Sequence, residues 1–147
     1  MKIIAFDPGG TTGYAVGILE EKEGILYVKA NQYAFTYLDL FDFLTAQEAD
    51  RIICESFEYR NKARPGLNLI SCEMIGIIKL CSDLLNFELK MQTAVVGKGH
   101  FTDKKIKDAG CWIPGKPHGM DALRHLLQWY TFGEGYQFNK KGFTHAS

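Results

Sequence analysis

A chain of 147 residues and 16.6 kDa has room for one domain around one core and little space for a second. With 46% hydrophobic and 23% charged residues it sits near the average of soluble globular proteins, which excludes a disordered tail, a collagen-like fibre and a disulfide miniprotein. The formal net charge of zero conceals a split: residues 1–50 carry three basic and eight acidic side chains (−5), and residues 51–147 carry fourteen and nine (+5). Most such splits mean no more than a patchwork surface; the functional alternative is one basic face for a polyanion, because clustered lysine and arginine attract phosphates whatever the whole-chain sum. Glu73, Lys79 and Asp83 interrupt the longest apolar region, well short of the ~20 residues of a membrane span. The opening Met1–Asp7 is too soon acidic for a signal peptide, so a cytoplasmic location is expected. Cys54, Cys72, Cys81 and Cys111 show no CxxC pair or zinc-ribbon spacing and are expected to be reduced packing residues.

In chain order, Lys2–Phe6 predicts a short apolar strand closed by Asp7, with Pro8-Gly9-Gly10 forcing a turn. Gly13–Leu19 predicts a second strand, Glu20–Gly24 a charged turn, and Ile25–Phe35 a third strand. Connections this short make an antiparallel meander. Tyr37–Glu48 predicts a helix, Arg51–Glu55 a buried strand, and Phe57–Gly66 a polar, basic loop. Leu67–Phe87 is the longest helical stretch, apolar over more than one face, and needs burial against two neighbours. Leu89–Val96 predicts a fifth strand ended by Gly97-Lys98-Gly99, Phe101–Ala109 a short basic helix, and Gly119–Phe132 a last helix entered through Pro117-His118. The expected architecture is α/β: a five-stranded mixed sheet, three antiparallel strands then two parallel, flanked by helices. Residues 1–132 form the domain and 133–147 a C-terminal tail; no internal repeat or linker divides the chain.

The chemistry-bearing residues stand at element ends. Asp7 closes the first strand and Glu55 the fourth; His118 and Asp121, three apart, share one helix face. Any one of these alone is more often a cap or a solvent-facing charge. Strands one and four are neighbours in a sheet of this order, however, so Asp7 and Glu55 lie side by side as like charges that repel unless a cation sits between them. Magnesium or manganese takes oxygen ligands of this kind, and two such ions per site suit phosphodiester hydrolysis.

These residues resemble a family. Ile3-Ile4-Ala5-Phe6-Asp7-Pro8-Gly9-Gly10-Thr11-Thr12-Gly13-Tyr14 is similar to the opening of the RuvC Holliday-junction resolvases, members of the RNase H-like (retroviral integrase) superfamily. Ile52-Ile53-Cys54-Glu55 resembles the strand carrying their catalytic glutamate, Gln92–Gly99 their fifth strand and glycine turn, and His118-Gly119-Met120-Asp121-Ala122-Leu123 their C-terminal motif. Four motifs in order span most of residues 1–130. The resemblance implies an RNase H-like fold and a junction endonuclease that nicks symmetric strands, leaving 3′-hydroxyl and 5′-phosphate ends. It further implies that Asp7, Glu55 and Asp121 are catalytic metal ligands, with His118, where many relatives have Asp, a ligand or a proton acceptor. Lys98, in the glycine turn, is a further DNA-binding candidate, and Lys104 or Lys105 falls near a basic residue that the family places close to DNA; a solvated helix face is the alternative for the latter two. Phe57, Tyr59, Arg60, Lys62 and Arg64 form an aromatic-basic loop suited to unpaired bases and phosphates, although Phe57 also fits beneath the sheet edge. A homodimer through helix 67–87 would present two sites to a two-fold junction.

The chain is shorter than typical bacterial members and looks more like compact phage-encoded ones, which points to four-way and other branched DNA as partner. The rival readings are a YqgF-like nuclease acting on RNA, an actin-like ATPase, which needs two such domains, and a non-catalytic module that binds branched DNA.

Overall fold

Alternation in the first strand decides the layering. In Lys2–Asp7 (β1) every residue from Ile3 to Phe6 is fully buried, which a strand achieves only when both faces of its sheet are covered. Ile3 and Ala5 point into one apolar cluster and Ile4 and Phe6 into another. The computed structural model describes residues 1–58, 69–133 and 143–145. After β1 come Thr12–Glu20 (β2), Ile25–Tyr33 (β3), helix Tyr37–Ala46 (α1), Arg51–Glu55 (β4), helix Ile70–Leu85 (α2), Glu88–Gln92 (β5), helix Asp103–Asp108 (α3), helix Pro117–Gln128 (α4) continued by a π-helical turn Trp129–Gly133, and Phe143–His145 (β6). The strand order is β5-β4-β1-β2-β3-β6. β1, β2 and β3 form the expected antiparallel meander, and β4 and β5 add in parallel.

The sheet has six strands where five were expected. The sixth, from the segment read as a tail, pairs in parallel with β3 through Leu26↔Phe143, Tyr27↔Thr144 and Val28↔His145. Other boundaries move for local reasons. β3 stops at Tyr33, and Phe35 instead packs its ring against Tyr14, Tyr33 and Phe43. α1 starts at a Thr36 cap whose hydroxyl accepts from the Asp39 amide and stops at Ala46, two residues early, because Glu48 takes a left-handed φ of 48°. β5 ends at Gln92 rather than Val96: the Val96 amide folds back to the Thr93 carbonyl, leaving Val95 exposed.

α1 and α2 cover one face, where Leu40, Leu44, Met74 and Ile78 meet Ile4, Phe6, Ile52 and Cys54. α4 covers the other, laying Ala122, Leu123, Leu126 and Leu127 over Ile3, Ala5, Ala15 and Ile53. Two glycines let α4 touch the sheet. A Cβ on Gly13 would stand 1.9 Å from the His118 carbonyl oxygen, and one on Gly119 would stand 2.8 Å from that of Asn31. Cys54, Cys81 and Cys111 are buried as expected, with burial pushing the Cys54 and Cys111 thiols up to about 12 and about 11. Cys72 corrects the reading: it is exposed on α2. Residues 67 and 68 of the expected long helix lie outside the described residues, and no described helix is long and apolar enough to cross a membrane.

Candidate active site

Asp7 continues the Ile3, Ala5 row toward α4 because side chains alternate along a strand. β1 and β4 run parallel in the register Phe6↔Cys54, so Asp7 and Glu55 are the next residues on adjacent strands. On its other side Asp7 pairs with Gly13, which pairs with Gln32. His118 at the start of α4 rests on the bare Gly13 backbone, and its amide donates to Gln32 Oε1 at 2.9 Å. That seating brings His118 Nδ1 to 2.8 Å from Asp7 Oδ2. Pro117 occupies the first turn of α4, where a missing N–H costs nothing.

One and two turns along the same helix stand Asp121 and His125. Asp121 Oδ1 accepts from Arg124 at 2.9 Å, and Lys98 Nζ lies 3.7 Å from Asp121 Oδ2. His125 Nε2 is 2.8 Å from Glu55 Oε2, and its Nδ1 is 2.8 Å from Gln92 Oε1. Asp7, Glu55 and His118 line an open cleft of about 450 Å³ at the strand ends, with Phe57 at its rim and the Gly9–Thr11 turn along its wall. Burial pushes the Asp7 carboxyl above its ordinary value; the His118 contact opposes the rise, and the negative charges of Glu55 and Asp121 add to it.

The structure thus gathers Asp7, Glu55 and His118 in one cleft, with Asp121 and Lys98 paired beside it. Phe57 is 37% exposed rather than packed under the sheet. Lys104 and Lys105 lie on α3, engaged with Asp108 at 2.5 Å and the His100 carbonyl at 2.7 Å. Tyr59, Arg60, Lys62 and Arg64 lie outside the described residues. Two residues escaped the sequence reading. Arg124 is buried, donates to the Phe101 carbonyl at 3.0 Å and joins Asp121 to Asp103. His125 is four residues after Asp121 and seven after His118, a helical spacing that carries all three on one face; its setting among leucines hid it.

Carboxylate oxygens and imidazole nitrogens are the donors that magnesium and manganese accept. Among the described residues no three His, Cys, Asp or Glu side chains are already gathered closely enough to enclose an ion, since each carboxylate is held by an imidazole, Arg124 or Lys98. The crowding of negative charge that raises Asp7 is nonetheless what a divalent cation relieves, so the donor set fits one.

No protein-family model matches the sequence, and no curated protein matches it. Solved structures do. The RuvC of Thermus thermophilus superimposes with a TM-score of 0.65 at 17% identity, covering 92% of this chain and 98% of that one. T. thermophilus RuvC in complex with a Holliday junction substrate gives 0.63 at 12% identity, covering 92% and 96%. The fowlpox virus resolvase in complex with its substrate Holliday junction DNA gives 0.56 at 16% identity, again covering 92% and 96%. The chain has the RNase H-like, RuvC-like fold.

Proposed function

From a fold shared with Holliday-junction resolvases, we propose that this chain is a metal-dependent, structure-selective DNA endonuclease acting on four-way and other branched DNA. The observation that carries the reading is the placement of Asp7 and Glu55 at adjoining strand ends under the His118 end of α4, at the floor of an open cleft. Asp7, Glu55 and Asp121 would hold magnesium or manganese, two ions per site, which would supply the charge that activates water and steadies the leaving 3′ oxygen. Asp7 orients the His118 ring, which takes the proton of the attacking water. Lys98 holds a phosphate beside Asp121, and Phe57 stacks on an unpaired base at the cleft rim. Water attacks the phosphorus as the bond to the 3′ oxygen breaks, so the ends are 3′-hydroxyl and 5′-phosphate.

Symmetric nicking requires two sites, and α2 supports a two-fold dimer. Cys72, Gly76, Leu80 and Leu84, at four-residue spacing, are all exposed along it. The other three cysteines are buried, so a short bis-maleimide should link protomers through Cys72, and Leu80→Glu should prevent it.

The deciding experiment is cleavage of a synthetic four-way junction with magnesium or manganese, beside forks, flaps, linear duplex and an RNA–DNA hybrid. Paired symmetric nicks in the junction are expected; cutting of forks and flaps as well would mean a general debranching enzyme. Cutting of the hybrid alone would transfer the fold to an RNA-directed nuclease. Tight junction binding without cutting under either metal would leave a binding module, a reading that the carboxylates' existing partners favour.

A further inference from the structure

Burying an imidazole among leucines is unfavourable unless both ring nitrogens find partners. His125 is 1% exposed, between Ala122, Leu123, Leu126 and Leu127, all fully buried. A leucine would fill that position at no such cost. What the imidazole gains is a contact with Glu55 on one side and Gln92 on the other, both at 2.8 Å. Glu55 and Gln92 are cross-strand partners at the ends of β4 and β5, and the Ser56 amide bonds the Gln92 carbonyl at 2.7 Å, closing the strand end. A helix and two strands therefore meet at the His125 ring.

We infer that His125, braced by Gln92, is a positioning residue that presets the Glu55 carboxylate for a divalent cation. The inference rests on the metal-site reading above. A glutamate side chain has three rotatable bonds and loses freedom when a ligand fixes it; fixing it in advance removes that loss from binding. A carboxylate only accepts, so the Nε2–H of His125 donates to Oε2 and determines how the remaining oxygen is presented, while the Gln92 amide, turned to offer its N–H, donates to Nδ1. Asp7, one methylene shorter and seated on the rigid end of β1, needs less of this support. His125 is too deeply buried to meet substrate, so it acts only through Glu55.

The test is manganese binding by the full chain, followed by calorimetry and by the spin resonance of free Mn2+, with no DNA present. His125→Leu fills the space and removes the N–H; its affinity for Mn2+ should fall roughly 10–100-fold, as when an outer-shell partner of a metal ligand is lost. His125→Gln keeps an amide N–H near the Nε2 position and should recover most of that loss, which a purely space-filling role would not allow. Wild-type affinity in a folded His125→Leu protein, or equal weakness in the Gln and Leu variants, would overturn the inference. If His125→Leu fails to fold, Gln92→Leu at the strand end takes its place: weaker Mn2+ binding is expected, and unchanged binding overturns. A wild-type chain that binds Mn2+ in this His125-dependent way but cuts no junction would sink the nuclease reading and leave the positioning role standing; a chain that binds no Mn2+ would sink the positioning role.

Discussion

Two carboxylate–imidazole pairs lie on the same face of the sheet at the same 2.8 Å, Asp7 with His118 and Glu55 with His125. Their surroundings differ. The His118 side chain is 47% exposed and that of His125 is 1% exposed. The first imidazole opens onto the cleft and can exchange protons with water; the second is fixed between a strand end and the helix core. Equal distances therefore need not mean equal roles: in the proposed function the first pair moves a proton and the second fixes geometry.

The largest effect should come from the carboxylate of the exposed pair. Asp7→Asn keeps an oxygen that His118 can donate to, but removes the charge proposed to hold the metal. Junction cleavage should fall by more than the roughly 10–100-fold typical of losing an outer-shell partner, while junction binding, measured by gel shift in EDTA, holds. Loss of binding in the folded variant would mean that Asp7 shapes the DNA surface rather than the chemistry. Next comes His118→Ala, for which single-turnover rates should fall roughly 10²–10⁴-fold, the range for a lost general base. Its half-exposed ring should cost no more than about 0.5 kcal/mol of stability. A larger loss in urea melts would make the Asp7 pair structural and erase the contrast.

The seat of the exposed pair is a sharper place to break it. Gly13→Ala would put a methyl 1.9 Å from the His118 carbonyl oxygen, backbone that cannot rotate aside. At least the ~1–3 kcal/mol of ordinary overpacking is expected, and lifting the start of α4 should separate His118 from Asp7 and stop cleavage. At the buried pair, His125→Ala strands Glu55 and Gln92 without their partner. A penalty of about 1–3 kcal/mol is expected for the orphaned group, well above that of His118→Ala in the same urea titration; equal penalties would deny that burial distinguishes the pairs.

The same contrast explains what the sequence disclosed. Asp7 and Glu55 were legible because a charge that ends an apolar run, followed in one case by Pro-Gly-Gly, marks a strand end, and strand order then places two such ends together. His118 and Asp121 were legible from a three-residue spacing at a helix start. His125 was not, because Leu-Arg-His-Leu-Leu carries no local mark separating a polar core residue from a site residue; only the partner strands, 33 and 70 residues away, do that. β6 was illegible for a related reason: three residues hold no period, and their strand identity comes from pairing with β3. Apolar content likewise misled at Val95 and Cys72, both exposed, since a run of apolar residues does not say which of them has a neighbour to pack against.

The smallest effect expected is a gain. Burial first, and then the charges of Glu55 and Asp121, raise the Asp7 carboxyl above its unfolded value, against the opposing His118 contact. The folded chain thus holds that proton more tightly than the unfolded chain. Asp7 should favour the fold below the ordinary carboxylate range, and that contribution should be lost as pH rises through the raised value. Asp7→Asn never ionises, so in EDTA its melting temperature should exceed that of wild type at neutral pH, with the gap closing as the solution is acidified below pH ~4. Removing His118 takes away the contact that holds Asp7 down, so the gap should widen in a His118→Ala background. Manganese should reverse the order, since a ligand at a hundred times its Kd adds about 2.7 kcal/mol to the wild type and little to a chain lacking Asp7. Equal melting temperatures at neutral pH, with and without metal, would show that Asp7 carries no strain for a cation to relieve.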